Sequence, residues 1–143
     1  MIASSDVALT SSEVWRPPVP GVPNDAWTWT QLPAMSAGRF DLCGCVMSNG
    51  RSAVVSGKNE SGDILSCDAF IVGENEHWHP LLSMHHARSG FACAAVARCI
   101  IVAGGRGTTS AEVYDEVLDR WILLPCELLG DCQEWTFFGS ALL

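Results

Sequence analysis

Four histidines, seven cysteines and one glycine-rich stretch are the parts of this sequence with chemistry to offer. His77 and His79 flank Trp78, and His85 and His86 are adjacent. Residues two apart on a strand share a face, so His77 and His79 would point the same way. A zinc site takes about four ligands at defined spacing. Here the cysteines offer only Cys43-x-Cys45, so no metal site is expected. No Gly-x-Ser-x-Gly elbow, phosphate loop or His-Glu-x-x-His is present to support catalysis. Gly104-Gly-Arg-Gly107 looks like a phosphate cradle, but it follows an apolar run with no helix after it to supply a dipole. Glu74, Glu76, Asp115, Glu116 and Asp119 fall in turn-like segments and read as a solvated rim. The expectation is a chain that is not an enzyme and holds no cofactor.

Charge narrows the partners. Eight Lys/Arg stand against sixteen Asp/Glu, for a formal net charge of -8, and Lys58 is the single lysine. Such a chain has no footprint for phosphate backbones or anionic lipid, so neither nucleic acid nor membrane is an expected partner. No apolar run reaches the ~18 residues of a membrane helix, and MIASSDVALTSSE lacks the basic start and apolar centre of a secretory signal. The cysteines, at 43, 45, 67, 93, 99, 126 and 132, are odd in number and irregular in spacing, and several sit in apolar runs such as FACAAVARCIIV. They read as free thiols of a reducing compartment, cytoplasm or nucleus.

Residues 1–26 hold Ser and Pro with little periodicity, and Trp15–Pro23 carries four prolines that fix φ and remove donors. A disordered arm is expected there. From Trp27 onward, apolar and β-branched runs of four to seven residues alternate with turn signals. The runs are 42–47, 51–56, 65–71, 91–95, 99–103, 111–114 and 120–123, and they predict an all-β chain of antiparallel strands. With 48% hydrophobic residues, 143 residues suffice for one packed domain.

Self-similarity organises these strands. Trp29, Trp78 and Trp121 recur at intervals of 49 and 43, each opening Trp-x-x-Leu. Arg39 and Arg88 follow the first two at ten residues. Next come an apolar strand, a second strand ending in Gly57 or in Gly104-Gly105, and a third strand before the next Trp. The diglycine, then Tyr114, then Trp121 after six intervening residues, resembles the kelch repeat, and SAEVYDEVLDRWILLP is most similar to plant-type F-box/kelch-repeat proteins. The unit at about 88–128 matches throughout. The unit at about 39–84 is degraded, with Gly57-Lys58 at the diglycine and Ile71 at the tyrosine.

The resemblance implies a partial kelch β-propeller over 27–143: two four-stranded antiparallel blades, an outermost strand near Ala26–Thr30 from a preceding unit, and an innermost strand of a third unit at 135–143. Trp29, Trp78, Trp121 and Tyr114 would pack between blades, with Gly57, Gly104 and Gly105 at strand ends. Propellers close with ~4–8 blades, so a truncated product without its F-box is expected. The implied function is recognition of a protein target, as in the substrate-binding region of an SCF-type ubiquitin-ligase adaptor. Skp1 would be engaged only through an F-box. The implied binding face carries Arg39, Lys58, Asn59, His85, His86, Arg88, Arg106 and Thr108, whose cations suit an acidic or phosphorylated segment. For Arg39 and Arg88, capture of carbonyl groups between blades is an equal alternative. A scaffolding or cytoskeleton-binding kelch protein and an iron-dependent specifier-type one are the other functions carried.

Overall fold

The computed structural model describes residues 7–128 and 140–142. The described residues hold strands and no helix. Two sheets, each built on an antiparallel four-stranded meander, form the body. The first comprises β3 (Cys43–Val46), β4 (Ser52–Val55), β7 (Cys67–Ile71) and β8 (His77–Leu81), hydrogen-bonded in that order. Between β4 and β7 a small hairpin, β5 (Lys58–Asn59) and β6 (Gly62–Asp63), projects. The second comprises β9 (Ala92–Val96), β10 (Cys99–Ala103), β11 (Ser110–Asp115) and β12 (Arg120–Glu127). Each is a four-stranded meander, so the chain folds as all-β, propeller-type blades.

The two blades face one another across a core of Cys43, Cys45, Met47, Val55, Ala69, Met84, Phe91, Cys93, Ile100, Val102, Tyr114 and Trp121. Alternation along each strand selects this set: on β10, Ile100 and Val102 are buried while Ile101 faces out. Where the inner strands β3 and β9 meet, Cys43, Cys45, Cys93 and Ala95 supply side chains small enough for close approach. Val55, Ile100 and Val102 are fully buried; each contributes on the order of 2 kcal/mol of apolar burial.

Four sequence expectations need correction. Residues 13–16, inside the segment expected to be a disordered arm, form β1 (Glu13–Arg16), paired with β2 (Thr28–Gln31). Trp15 packs against Trp27 and Trp29 at ring distances of 4.7 and 6.2 Å, and the Arg16 guanidinium donates to both Glu76 oxygens at 2.6 and 2.8 Å. These contacts hold the segment, and the prolines fall just beyond the strand. Pro20 and Gly21 form a turn closed by Val22 N–H donating to the Val19 carbonyl. Secondly, Trp29 is not buried between blades: it is 68% exposed, with one ring face against Trp15.

Thirdly, the first unit's diglycine is Ser56-Gly57 rather than Gly57-Lys58. Lys58 N–H donates to the Phe40 carbonyl as Arg106 N–H does to that of Ser89, which equates Gly57 with Gly105 and Ser56 with Gly104. The backbone agrees: φ is +51° at Ser56 and +69° at Gly104, +104° at Gly57 and +111° at Gly105. Fourthly, Phe70 rather than Ile71 occupies the place of Tyr114. Phe70 pairs with Trp78 as Tyr114 pairs with Trp121, and the loop 72–76 is one residue longer than the loop 116–119.

The expected third-unit strand lies partly outside the described residues. Of 135–143, Ser140–Leu142 form β13, which joins the second sheet parallel to β9.

Candidate partner-binding groove

The repeat builds the same polar clamp twice. Arg39, placed at the entry to β3, donates through Nη1 to the Ser56 and Ser66 carbonyls (3.1 and 2.8 Å) and through Nη2 to Ser66 Oγ and Asp68 (3.1 and 2.8 Å). Arg88, at the entry to β9, donates through Nη1 to the Gly104 and Ser110 carbonyls (2.8 and 2.9 Å) and through Nη2 to Ser110 Oγ and Glu112 (3.1 and 2.7 Å). All four charged side chains are fully buried. Burial disfavours the Arg39 cation and lowers its pKa, with Asp68 pulling the other way. Each arginine therefore holds carbonyls at the strand ends of its own blade, not between blades as the sequence alternative had it, and its guanidinium is fully buried.

The carboxylates below these arginines differ in what else they bind. Asp68 accepts from Ser36 Oγ at 2.6 Å. At the matching place in the second unit stands His85, seven residues after its tryptophan as Ser36 is after Trp29. Glu112 accepts from the backbone N–H groups of His85 and His86 (2.8 and 3.0 Å) and from the His85 ring at Nδ1 (3.0 Å). His86 Nδ1 lies 3.6 Å from the other oxygen. Burial alone would raise the Glu112 pKa, but the donors at His85, Arg88 and His86 outweigh it and hold the group below its ordinary value.

This arrangement turns both histidine rings outward along a groove of about 890 Å³. Its walls are His85, His86 and Ala87, the loop Arg106–Ser110, and β12 from Leu123 to Glu127, with Leu65 at one end. A bulge shapes the far wall. Ser110 pairs with Glu127 and Glu112 with Leu123, so Leu124, Pro125 and Cys126 together oppose the single residue Ala111. Polar donors and hydroxyls thus stand on one side and Leu123, Leu124 and Pro125 on the other. That is the mixed lining expected of a recognition groove.

The predicted face divides accordingly. His85, His86, Arg106 and Thr108 come together in the groove. Lys58 lies beside it: Lys58 Nζ and Arg106 Nη2 flank one Asp41 carboxylate oxygen, at 3.4 and 3.7 Å. Lys58 also covers the Phe40 ring at 4.9 Å. Asn59 does not join the groove; it closes the β5–β6 turn by accepting from Ser61 N–H. Leu65, Asp41 and Leu123–Glu127 were missed by sequence reasoning. Only the bulge and the hairpin bring them alongside, and neither leaves a spacing signal.

No protein-family model matches the chain. Among curated proteins, an F-box/kelch-repeat protein of Arabidopsis thaliana is 42% identical over 69 residues, covering 44% of this chain and 17% of its own length. A second F-box/kelch-repeat protein of the same plant is 30% identical over 128 residues, covering 86% of this chain and 31% of its own length. The chain thus spans under a third of either relative. Two meander blades, a glycine-ended second strand in each and an aromatic–tryptophan pair on each outer hairpin agree with that similarity: the chain carries kelch-type repeats similar to those of plant F-box/kelch-repeat proteins.

Proposed function

We propose that this chain is a protein-recognition module, serving as the target-binding region of an SCF-type ubiquitin-ligase adaptor. The observation that carries the reading is the groove in which His85, His86, Arg106 and Thr108 meet an apolar wall. Arg106 is half exposed and held only loosely, its Nη2 3.7 Å from Asp41, so its guanidinium can turn to an acidic or phosphorylated side chain of a partner. Leu123, Leu124 and Pro125 offer apolar contact to neighbouring residues of an extended segment. Similarity to F-box/kelch-repeat proteins supports the adaptor role, in which an F-box engages Skp1 and the kelch blades hold the target. Cys45, Cys67, Cys93, Cys99 and Cys126 carry free thiols, which suits work in the cytoplasm or nucleus.

Affinity capture with the full-length gene product tests this. Skp1 should co-purify with it, and Arg106→Ala should reduce target recovery while leaving Skp1 recovery unchanged. Capture of targets without Skp1 would favour a scaffolding role. Targets indifferent to Arg106→Ala would remove the groove from consideration.

A further inference from the structure

The groove has a wall that responds to protons. Glu112 is buried and takes up Arg88 together with the His85 and His86 backbone N–H groups. A carboxylate only accepts, so the His85 ring must present Nδ1–H to it across 3.0 Å. The tautomer is thereby fixed, and Nε2 of a half-exposed ring is left for the groove. His86 stands alike over the second oxygen at 3.6 Å, its side chain 48% exposed. A neutral imidazole in this pose has an acceptor at Nε2; an imidazolium has an N–H donor and a positive charge.

The other charged or titratable groups around the two rings are few. Glu112 and Arg88 lie beneath them, paired to each other. Arg106 lines the groove from the loop after β10, with the Asp41 carboxylate, shared with Lys58, 3.7 Å from its Nη2, and Cys126 and Glu127 line it from β12. The hydroxyl residues Thr108, Thr109 and Ser110 stand beside Arg106. Two imidazolium N–H groups and one guanidinium supply more donors than the two oxygens of a carboxylate can use, and they suit the three oxygens and double charge of a phosphoryl group.

Resting on the reading of this groove as the partner site, we infer that it receives a phosphorylated side chain of the partner segment, and that protonation of His85 and His86 strengthens the binding. Each protonation replaces a lone pair facing the phosphoryl oxygens with a donor.

Sulfate is the probe, because it keeps its double charge between about pH 5.5 and about pH 8, the range over which an imidazole in general can change charge. NMR titration of the full chain should place sulfate at His85, His86 and Arg106, with apparent affinity rising several-fold towards the acid end and acetate weaker throughout. By linkage, sulfate should raise the midpoints of both imidazole titrations in the unaltered protein, a readout that needs no variant. His85→Gln/His86→Gln, which keeps an amide donor near Glu112, should bind sulfate with little dependence on pH. Imidazole midpoints unmoved by sulfate, or a full pH slope in the double variant, would overturn the proton linkage while leaving the groove as a partner site. Acetate equal to sulfate would overturn the phosphoryl assignment. Target capture indifferent to Arg106→Ala would instead overturn the underlying reading of the groove.

Discussion

The Trp121 indole donates its N–H to the Leu82 carbonyl across 2.9 Å, and Trp78 makes the same bond to Pro33, also at 2.9 Å. Each acceptor lies four residues after the preceding unit's tryptophan. The strand leaving one blade is thus latched by the outer-hairpin tryptophan of the next. Trp121 packs on Tyr114 at 5.4 Å, and Trp78 on Phe70 at 5.1 Å. Burial differs: Trp121 is 5% exposed, whereas Trp29, the first tryptophan of the series, is 68% exposed.

Stability should follow that difference. Trp121→Ala removes a buried ring and its latch and should cost ~3–5 kcal/mol. Trp121→Phe keeps part of the packing and loses the hydrogen bond, for a smaller cost of about 1–2 kcal/mol. Trp29→Ala should cost under about 1 kcal/mol, as at other exposed sites. Urea unfolding of the three variants checks the order. A Trp121→Ala loss no larger than that of Trp29→Ala would show that the latch does not join the blades.

The two glycine positions of the repeat are unequal, and substitution should reveal it. At Gly57 (φ +104°) an added Cβ would stand 2.7 Å from the Phe40 carbonyl oxygen, and at Gly105 (φ +111°) 3.1 Å from that of Ser89. Backbone hems in both, so Gly57→Ala and Gly105→Ala should each cost roughly 2 kcal/mol or more. Gly104 sits at φ +69°, which an L-residue reaches for about 1–2 kcal/mol, and its nearest neighbour is the movable Leu128 side chain. Gly104→Ala should therefore be the mildest of the three in thermal unfolding. Equal losses at 104 and 105 would contradict this division.

That inequality also explains what the sequence concealed. The tryptophan period, the strand runs and the second unit were legible because side-chain alternation and turn residues announce them. The first unit's diglycine was read one residue late. Its leading position is Ser56, held at φ +51° by a hydroxyl that lies 2.6 Å from both the Ile64 and Arg88 carbonyl oxygens and accepts from Arg88 N–H. Phe70 was missed because a loop longer by one residue shifted Ile71 into the counted place. Lys58, Arg106 and the histidines were visible as candidates by position in the repeat, but their separation from the buried Arg39 and Arg88 was not. Buried and exposed arginines alike sit next to turn residues, and the carboxylates at 68 and 112, brought in from the third strands, mark out the buried ones.

Those carboxylates set a third prediction. Arg88→Met strands the buried Glu112 charge and should cost ~3–5 kcal/mol. Adding Glu112→Leu removes the stranded charge, so the double variant should be markedly more stable than Arg88→Met alone. Denaturant midpoints of both single variants and the double variant close the cycle. Additive losses would mean that the 2.7 Å pair carries no coupling.

Acid should act on the same group. The folded-state pKa of Glu112 lies below its ordinary value of 4.5, chiefly because the donors around it overcome burial. A carboxylate with a depressed folded pKa binds fewer protons folded than unfolded. Its contribution is therefore complete above the unfolded value and is lost as pH falls through the folded one. Wild-type stability should drop on moving from about pH 5 to about pH 3. Glu112→Gln, less stable at neutral pH, should lose less over the same interval because its side chain takes up no proton. Parallel pH profiles for the two proteins would show that Glu112 does not contribute to the acid response.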